Sequence, residues 1–364
     1  MSTSSEYATE LEIACLTVQR AARVTKSIIA AIEKDDALDK SDNTPVTIAD
    51  FAAQALIISA LHAAFPDDGF IGEETAAVLR QDAQLRDRVW DLVRSAHLDD
   101  PDSDSRLAKP DTVEEMLSLI DLGGNGQGGS EGRIWVLDPV DGTSTFMKGQ
   151  QYVVSLALLE NGEQKLGVLG CPNLRLDTPT RGRVRENVVD RDGLGQMIFA
   201  VAGQGAYIRP LGPGGLEPAS RLPRRDDSEL RPSDIRLVDC QASNSTDYEK
   251  LSRVAARLGA PWPPVMDIWS SQMRYVALAV DYEVNSQVRI VRRQSHRSSI
   301  WDHAGGMLVA NEIGCKVTDL HGNAVHCDRG RTLAGSCGII AAPESVHGDI
   351  LRVVSEVLAE SPSL

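Results

Sequence analysis

Between Glu6 and about Glu33 the apolar residues Leu11, Ala14, Cys15, Val18, Ala22, Ile28, Ile29 and Ile32 return at helical intervals, which predicts a first amphipathic helix. A second helix is predicted from Val46 to Ala64, opening just after Thr44-Pro45 and stopping before Pro66, which has no amide hydrogen to give. Gly69-Phe-Ile-Gly-Glu-Glu74 reads as a short strand ending in two acids. Residues 82–120 alternate helical stretches with the acidic, proline-containing loop Asp99–Asp104, and the glycine-rich stretch Leu122–Gly132 reads as a flexible loop. Its glycines lack the strand-then-helix setting of a dinucleotide fingerprint, so no nucleotide cofactor is assigned to it.

From Arg133 the pattern turns to strands. Arg133–Asp138 is one. Tyr152–Glu160 and Gln164–Gly170 form a hairpin around Asn161-Gly162, and a second hairpin from Gln196 to Arg209 turns at Gly203-Gln-Gly205. Five prolines between residues 210 and 234 mark a loop or linker. A strand at Ile235–Cys240 then opens an α/β half. It has helices near 247–258 and 270–281, a strand to Ile290, a helix from Trp301 to Ile313 and an end helix from Pro343. The expected domains are residues 1–230, α+β, and 231–364, α/β, parted near the proline-rich linker.

Composition narrows the function classes. The chain has 364 residues, 42% of them hydrophobic, enough to bury a core without disulfides or a structural metal. No apolar run is read as approaching the roughly 18 residues of a membrane span. A net charge of −15 opposes any broad electrostatic hold on a nucleic acid polymer or an anionic membrane. The six cysteines are scattered with no C-x-x-C pair, as in reduced, buried thiols of a cytoplasmic protein. Met1 leads into a polar stretch rather than a secretion signal, and Ser361-Pro-Ser-Leu364 is no peroxisomal tripeptide.

The chemistry concentrates in Trp135-Val-Leu-Asp-Pro-Val-Asp-Gly-Thr143. An apolar strand delivers Asp138 at its end, Pro139 stops the ladder, and Asp141-Gly142-Thr143 turns the chain. Two carboxylates so spaced can point at one centre, joined by the Val140 carbonyl, an oxygen-only set suited to hard Mg²⁺. Backbone N–H groups near Gly142, Thr143 and Ser144 could cradle a phosphate. An ordinary Asp-Pro-x-Asp-Gly surface turn is the competing reading. Glu73 and Glu74 can equally be an acidic loop end, Asp50 an exposed helical acid, and Asp302, in Ile300-Trp-Asp-His-Ala-Gly-Gly306, a helix N-cap.

Gly-Glu-Glu, Leu-Asp-Pro-Val-Asp-Gly-Thr and Trp-Asp-His-Ala-Gly-Gly, in this order, resemble the lithium-sensitive, Mg²⁺-dependent phosphomonoesterases of the inositol monophosphatase superfamily. The closer likeness is to the 3'(2'),5'-bisphosphate nucleotidases of the salt-tolerance type. It rests on Asn43-Thr-Pro-Val-Thr47 with Asp50-Phe-Ala-Ala-Gln54, Phe65-Pro-Asp-Asp68, Phe146-Met-Lys-Gly-Gln-Gln-Tyr152, Gly167–Leu174, Ala200–Tyr207 and Gly330-Arg-Thr-Leu333. The resemblance implies a layered αβαβα sandwich in which Glu73, Asp138, the Val140 carbonyl, Asp141 and Asp302 hold two or three Mg²⁺ ions. It implies that Asp50 and Thr143 activate the attacking water, that Glu74 supports them, and that His303 bonds locally rather than to a metal. Ser271 and Arg274 match a Ser/Lys pair near a bisphosphate, Arg289 a phosphate-binding arginine, and Asp302 also faces substrate. Solvated helix or strand ends are the alternatives for Arg274 and Arg289, and a basic loop is the default for Arg292, Arg293 and Arg297.

Three departures fall in the substrate half. Ala242-Ser-Asn-Ser245 replaces Gly-His-Ser-Ser, so Ser243 stands where a nucleotide-contacting histidine is expected. Ser299 replaces a lysine, and the strand carrying Arg289 reads Asn285-Ser-Gln-Val-Arg-Ile-Val, its register open by one position. The implied activity is removal of the 3'-phosphate from adenosine 3',5'-bisphosphate, with its sulfated form a further substrate, by a monomer with no other partner. An inositol polyphosphate 1-phosphatase and a non-catalytic phosphate- or metal-binding regulator are the alternatives.

Overall fold

In a computed structural model of the chain, residues 6–34, 44–225, 227–293 and 295–360 are described. Met1, Asn43 and the Ser361–Leu364 end, which carried expectations above, lie outside the described residues. Helices α1, Ala8–Lys34, and α2, Thr44–Ala64, come first, followed by strand β1, Gly69–Gly72. Helices α3, Ala77–Gln81, α4, Ala83–Ser95, α5, Pro101–Asp104, and α6, Val113–Gly124, lead to β2, Arg133–Asp141, and the single turn α7, Thr143–Phe146. Strands β3, Val153–Glu160, β4, Glu163–Cys171, β5, Gln196–Val201, β6, Gly205–Pro210, and β7, Ser220–Arg221, follow. The rest alternates as β8, Val238–Asp239, α8, Tyr248–Leu258, β9, Met266–Asp267, α9, Ser271–Val280, and β10, Gln287–Arg289. It closes with α10, Ala304–Glu312, β11, Cys315–Thr318, β12, Ile339–Pro343, and α11, Glu344–Ala359.

Strands β1 to β7 form one sheet in chain order, parallel only between β1 and β2. Strands β10, β12 and β11 form a smaller antiparallel sheet, with the parallel pair β8–β9 beside it. Alternation along each strand sorts side chains into layers. Trp135 and Leu137 of β2 pack with α1 and α2, whereas Val136 packs with α9 and α10. In β12, Ile339 and Ala341 face the α9–α10 layer, while Ile340 and Ala342 face α8 and α11. The result is five layers: α1–α2, the large sheet, α9–α10, the small sheet, and α8–α11. This is the αβαβα sandwich the sequence implied.

Close approach between layers explains the glycines of the Ala-Gly-Gly run. A Cβ on Gly306 would lie 2.3 Å from Tyr275 Cδ2 and 2.5 Å from Gln272 Oε1, so only glycine lets α10 lie this near α9.

Several expectations need correction. Helix α2 is long and apolar enough to cross a membrane over Val46–Ala64, with mean hydropathy 1.5, contrary to the sequence reading. Most of it is buried, because it lies between α1, α4, α6 and the sheet. The acidic loop 99–104 contains the one-turn helix α5, with Pro101 at its first position and the Asp100 carboxylate accepting from Ser103 N–H. The linker 210–234 contains β7 and a 3₁₀ turn at Pro232–Asp234. The strand at Ile235–Cys240 shrinks to β8, and α10 begins at Ala304, not Trp301. Strands β9, β11 and β12 had no reading. All six cysteines are free, five of them buried.

Candidate active site

The centre of the site is set by an irregularity in a strand. Residues three apart on a regular strand point to opposite faces. Between β2 and β3 the register runs Asp138↔Ser155 and then Asp141↔Val153, so β2 carries one extra residue. The irregularity falls at Pro139, which has no N–H for the ladder. The slip puts Asp138 and Asp141 on the same side, the side facing α9 and α10. Asp302, in the turn just before α10, completes a group whose carboxylate oxygens with those of Asp138 and Asp141 all lie within 4.8 Å. Asp302 is no helix cap: His303 holds the cap position of α10, without a side-chain capping bond.

Asp141 is gripped by the start of α9. Ser270 Oγ donates to its Oδ2 at 2.5 Å, Gln272 N–H to the same oxygen at 2.6 Å, and Ser271 N–H to Oδ1 at 3.2 Å. The positive end of that helix therefore faces the acid. Val140 N–H donates back to Asp138 Oδ1 at 3.1 Å. Gln272 fixes the other wall, its Nε2 donating to the Trp301 carbonyl at 2.7 Å and its Oε1 accepting from Gly306 N–H at 2.8 Å.

The acids repel one another and are shielded from water. Burial first, then the charges of Glu73, Asp141, Asp302 and Asp50, hold the Asp138 carboxyl well above the ordinary range. Burial and Asp141 raise Asp302 to about 7, against the pull of Arg289 and Arg274. Glu73 is raised to about 7, by desolvation and then by Glu74, Asp302 and Asp141. Much of Glu73 still touches solvent, so it stands at the mouth of the cluster, crowded rather than enclosed. Asp138 pulls the other way on both Glu73 and Asp302, its carboxyl lowering theirs by a smaller amount. Clustered, partly desolvated carboxylates with oxygen-only donors fit a hard divalent cation, which would remove the repulsion that raises them.

Asp50 is buried, not exposed as an isolated helical acid would be, and burial with the charges of Glu74 and Glu73 pushes its carboxyl well up. Gln54, one turn further along α2, donates to the Glu74 carbonyl at 2.7 Å and the Ile120 carbonyl at 2.9 Å, while accepting from Glu74 N–H at 3.0 Å. Thr143 and Ser144 lie exposed in the first turn of α7. Gly142, at φ 109°, turns the chain there, and a Cβ on it would lie 2.9 Å from Thr145 Oγ1. Among the described residues no hydrogen bond joins Asp50 to Thr143.

The cationic wall differs from its surface-exposed alternative. Arg274 is 4% exposed, sits 3.5 Å from Asp239 and donates to Ser271 Oγ at 2.8 Å. Arg289, 9% exposed at the end of β10, donates to Ser245 Oγ at 2.9 Å. In the small sheet it pairs with Ile339 of β12. Ser243 stays in its own turn, 2.7 Å from Ser245 Oγ. His303 is fully buried between Tyr275 Oη, at 3.0 Å, and Arg289, at 3.4 Å, and burial holds it neutral.

Sequence reasoning passed over Ser270, Gln272, Asp239 and Arg331. The Arg331 guanidinium donates to the Gly72 carbonyl at 2.6 Å, Gly126 at 2.9 Å and Gly123 at 3.1 Å, and lies 4.8 Å over the Trp301 ring. Gly330-Arg-Thr-Leu333 carried a signal for it, and Gln54 lies four residues from Asp50 on one helix face.

Residues 6–359 match the inositol monophosphatase family. The chain is 36% identical over 355 residues to a 3'(2'),5'-bisphosphate nucleotidase of Emericella nidulans, covering 97% of this chain and 99% of that protein. It is 34% identical over 358 residues to the enzyme of that name in Schizosaccharomyces pombe, covering 97% of each. In fold it is similar to Mycobacterium tuberculosis SuhB, with a TM-score of 0.56 at 18% identity over 97% of this chain and 98% of that one. The Thermotoga maritima IMPase gives 0.54 at 18% identity, over 97% and 99%.

Proposed function

The chain belongs to the inositol monophosphatase family, and from that premise we propose that it is a Mg²⁺-dependent phosphoric monoester hydrolase removing the 3'-phosphate from adenosine 3',5'-bisphosphate. The products are AMP and phosphate, and the sulfated 3'-phosphonucleotide is a further substrate. The observation that carries the reading is the bulge that turns Asp138 and Asp141 together toward Asp302, in a chain a third identical to bisphosphate nucleotidases along its whole length.

Glu73, Asp138, the Val140 carbonyl, Asp141 and Asp302 are the groups that would hold two or three Mg²⁺ ions. When bound, such ions neutralise charge on the phosphate and ease deprotonation of water. Asp50 and Thr143 orient the attacking water and take its proton. A buried carboxyl with a raised proton affinity suits that task better than an exposed one, which gives its proton up at lower pH. Glu74 supports Asp50 from the adjoining turn. The backbone at Gly142, Thr143 and Ser144 receives the reacting phosphate. Ser243, Ser271, Arg274 and Arg289 hold the rest of the nucleotide, with Asp302 between the two sets. The guanidinium forks of Arg274 and Arg289 match phosphate oxygens in pairs.

The working unit is a cytoplasmic monomer of two domains, 1–230 and 231–364, with substrate in the cleft between them. The test is phosphate release by purified protein from adenosine 3',5'-bisphosphate, with and without Mg²⁺, beside an inositol polyphosphate. Mg²⁺-dependent turnover with the higher kcat/KM on the nucleotide is expected. Turnover of the inositol polyphosphate alone would replace the substrate assignment, and none on either would end the reading.

A further inference from the structure

Next to Arg289 lies a cavity of about 460 Å³ walled by Asn244, Ser245, Arg292, Arg293 and His296. Two of these wall residues meet the Arg289 guanidinium, which donates to Ser245 Oγ at 2.9 Å and lies 3.3 Å from His296 Nε2. That arginine is nine-tenths buried and its Nε has no partner. Among the described residues no carboxylate lies within ion-pair distance of it; Asp302 and Asp239 act on it from further away. A buried cation without a close counter-charge is costly until an anion reaches it.

Two more cations face the same space. Among the described residues Arg292 and Arg293 make no side-chain hydrogen bond or ion pair. Asp247, the acid that senses Arg292, is already held by Lys250 at 3.0 Å. No acid is among the five wall residues, in a chain whose net charge is −15. The loop is fixed to the opposite wall by Arg292 N–H, which donates to the Ser245 carbonyl at 2.9 Å.

We infer that this cavity is an anion subsite selecting 3'-phosphorylated nucleotides whose other arm ends in a diphosphate, with Arg292 and Arg293 as its specificity-determining residues. The inference rests on the nucleotide reading above. Arg289 and Ser245 answer a single phosphate. A second, linked phosphate gives Arg292 and Arg293 the partner they lack, in charge-assisted and forked contacts.

The experiment compares wild type with the R292A/R293A protein on adenosine 3'-phosphate 5'-diphosphate, adenosine 3',5'-bisphosphate and adenosine 3'-phosphate. Wild type is expected to have its highest kcat/KM on the diphosphate. The double variant is expected to lose ~10-fold or more there, mainly through KM, a factor of ten being one well-made ionic contact. On the 3'-phosphate it should lose less than about threefold, and R292K/R293K should recover part of the loss. An equal loss on all three substrates would mean a general positive potential and overturn the subsite. Calorimetric titration of metal-free protein with inorganic pyrophosphate gives a readout independent of turnover. Binding should weaken ~10-fold in R292A/R293A, and unchanged binding overturns the inference. If no nucleotide is hydrolysed while pyrophosphate binding still depends on the two arginines, the activity assignment fails and the subsite stands.

Discussion

Asp141 shows how far one side chain is committed. It takes three hydrogen bonds from the first residues of α9 while facing Asp138 and Asp302. Asparagine there keeps the shape and removes the charge. Asp141→Asn and Asp50→Asn are each expected to lower kcat by at least ~10²-fold, the scale of a lost acid–base group, in protein that still folds, Asp141→Asn melting lower because its amide NH2 must face one of the N–H donors of α9. Steady-state kinetics beside a thermal melt checks this, and near-wild-type rates in either variant would remove the assigned role. His347 gives a pH prediction away from the site. It is buried against Thr318 Oγ1, 2.9 Å from Nε2, and burial, with Lys316 nearby, lowers its pKa from 6.5 to about 4. The unfolded chain therefore takes up a proton first as pH falls, so this contribution to stability is whole above about 6.5 and is lost towards 4. The fall in melting temperature from pH 7 to pH 5 is expected to be smaller in His347→Gln than in wild type, and equal falls would contradict the assignment.

At the scale of elements, tight packing between α9 and α10 holds Asp302 in place. Gly306→Ala would put a methyl against the Tyr275 ring, an overpacking that typically costs about 1–3 kcal/mol. A lower melting temperature, with kcat falling because the Trp301–Asp302 turn shifts, is the expected outcome, and an unchanged melt would show that α10 can move. Much of this scale was legible in the chain. The long helices, the two hairpins and the acids of β2 follow from periodicity and turn chemistry, because those signals are local. The irregularity at Pro139 was legible only as a stop, since the change of face it produces depends on the partner strand. Strands β9, β11 and β12 were invisible for a similar reason: each is two to five residues long and defined by its neighbours. Asp50 read as an ordinary exposed acid in isolation, because burial inside a helix pair is not written in the helix itself. The role of Ser270 and Gln272 depends on α9 meeting β2, more than a hundred residues apart.

For the whole molecule, the acid cluster draws on both ends of the chain, Glu73, Asp138 and Asp141 from one and Asp302 from the other. An ion held there ties these segments in the folded state only, so it must stabilise folding in proportion to its occupancy. At a hundred times its dissociation constant the gain is about 2.7 kcal/mol. Millimolar Mg²⁺ is expected to raise the melting temperature over protein kept in chelator, and Asp302→Asn to shrink that increment. No difference between chelated and Mg²⁺-loaded protein would argue against ions at this cluster.

Arg331 makes the same connection without any ion. Its three bonds run to carbonyls at Gly72, Gly123 and Gly126, two hundred or more residues upstream, so the hinge of the Glu73–Glu74 corner is pinned by a late part of the polypeptide. During synthesis that corner can form early but gains its clasp only when nearly everything has left the ribosome. A shortened product ending before this arginine would keep its acids in sequence and lose the brace that aims them.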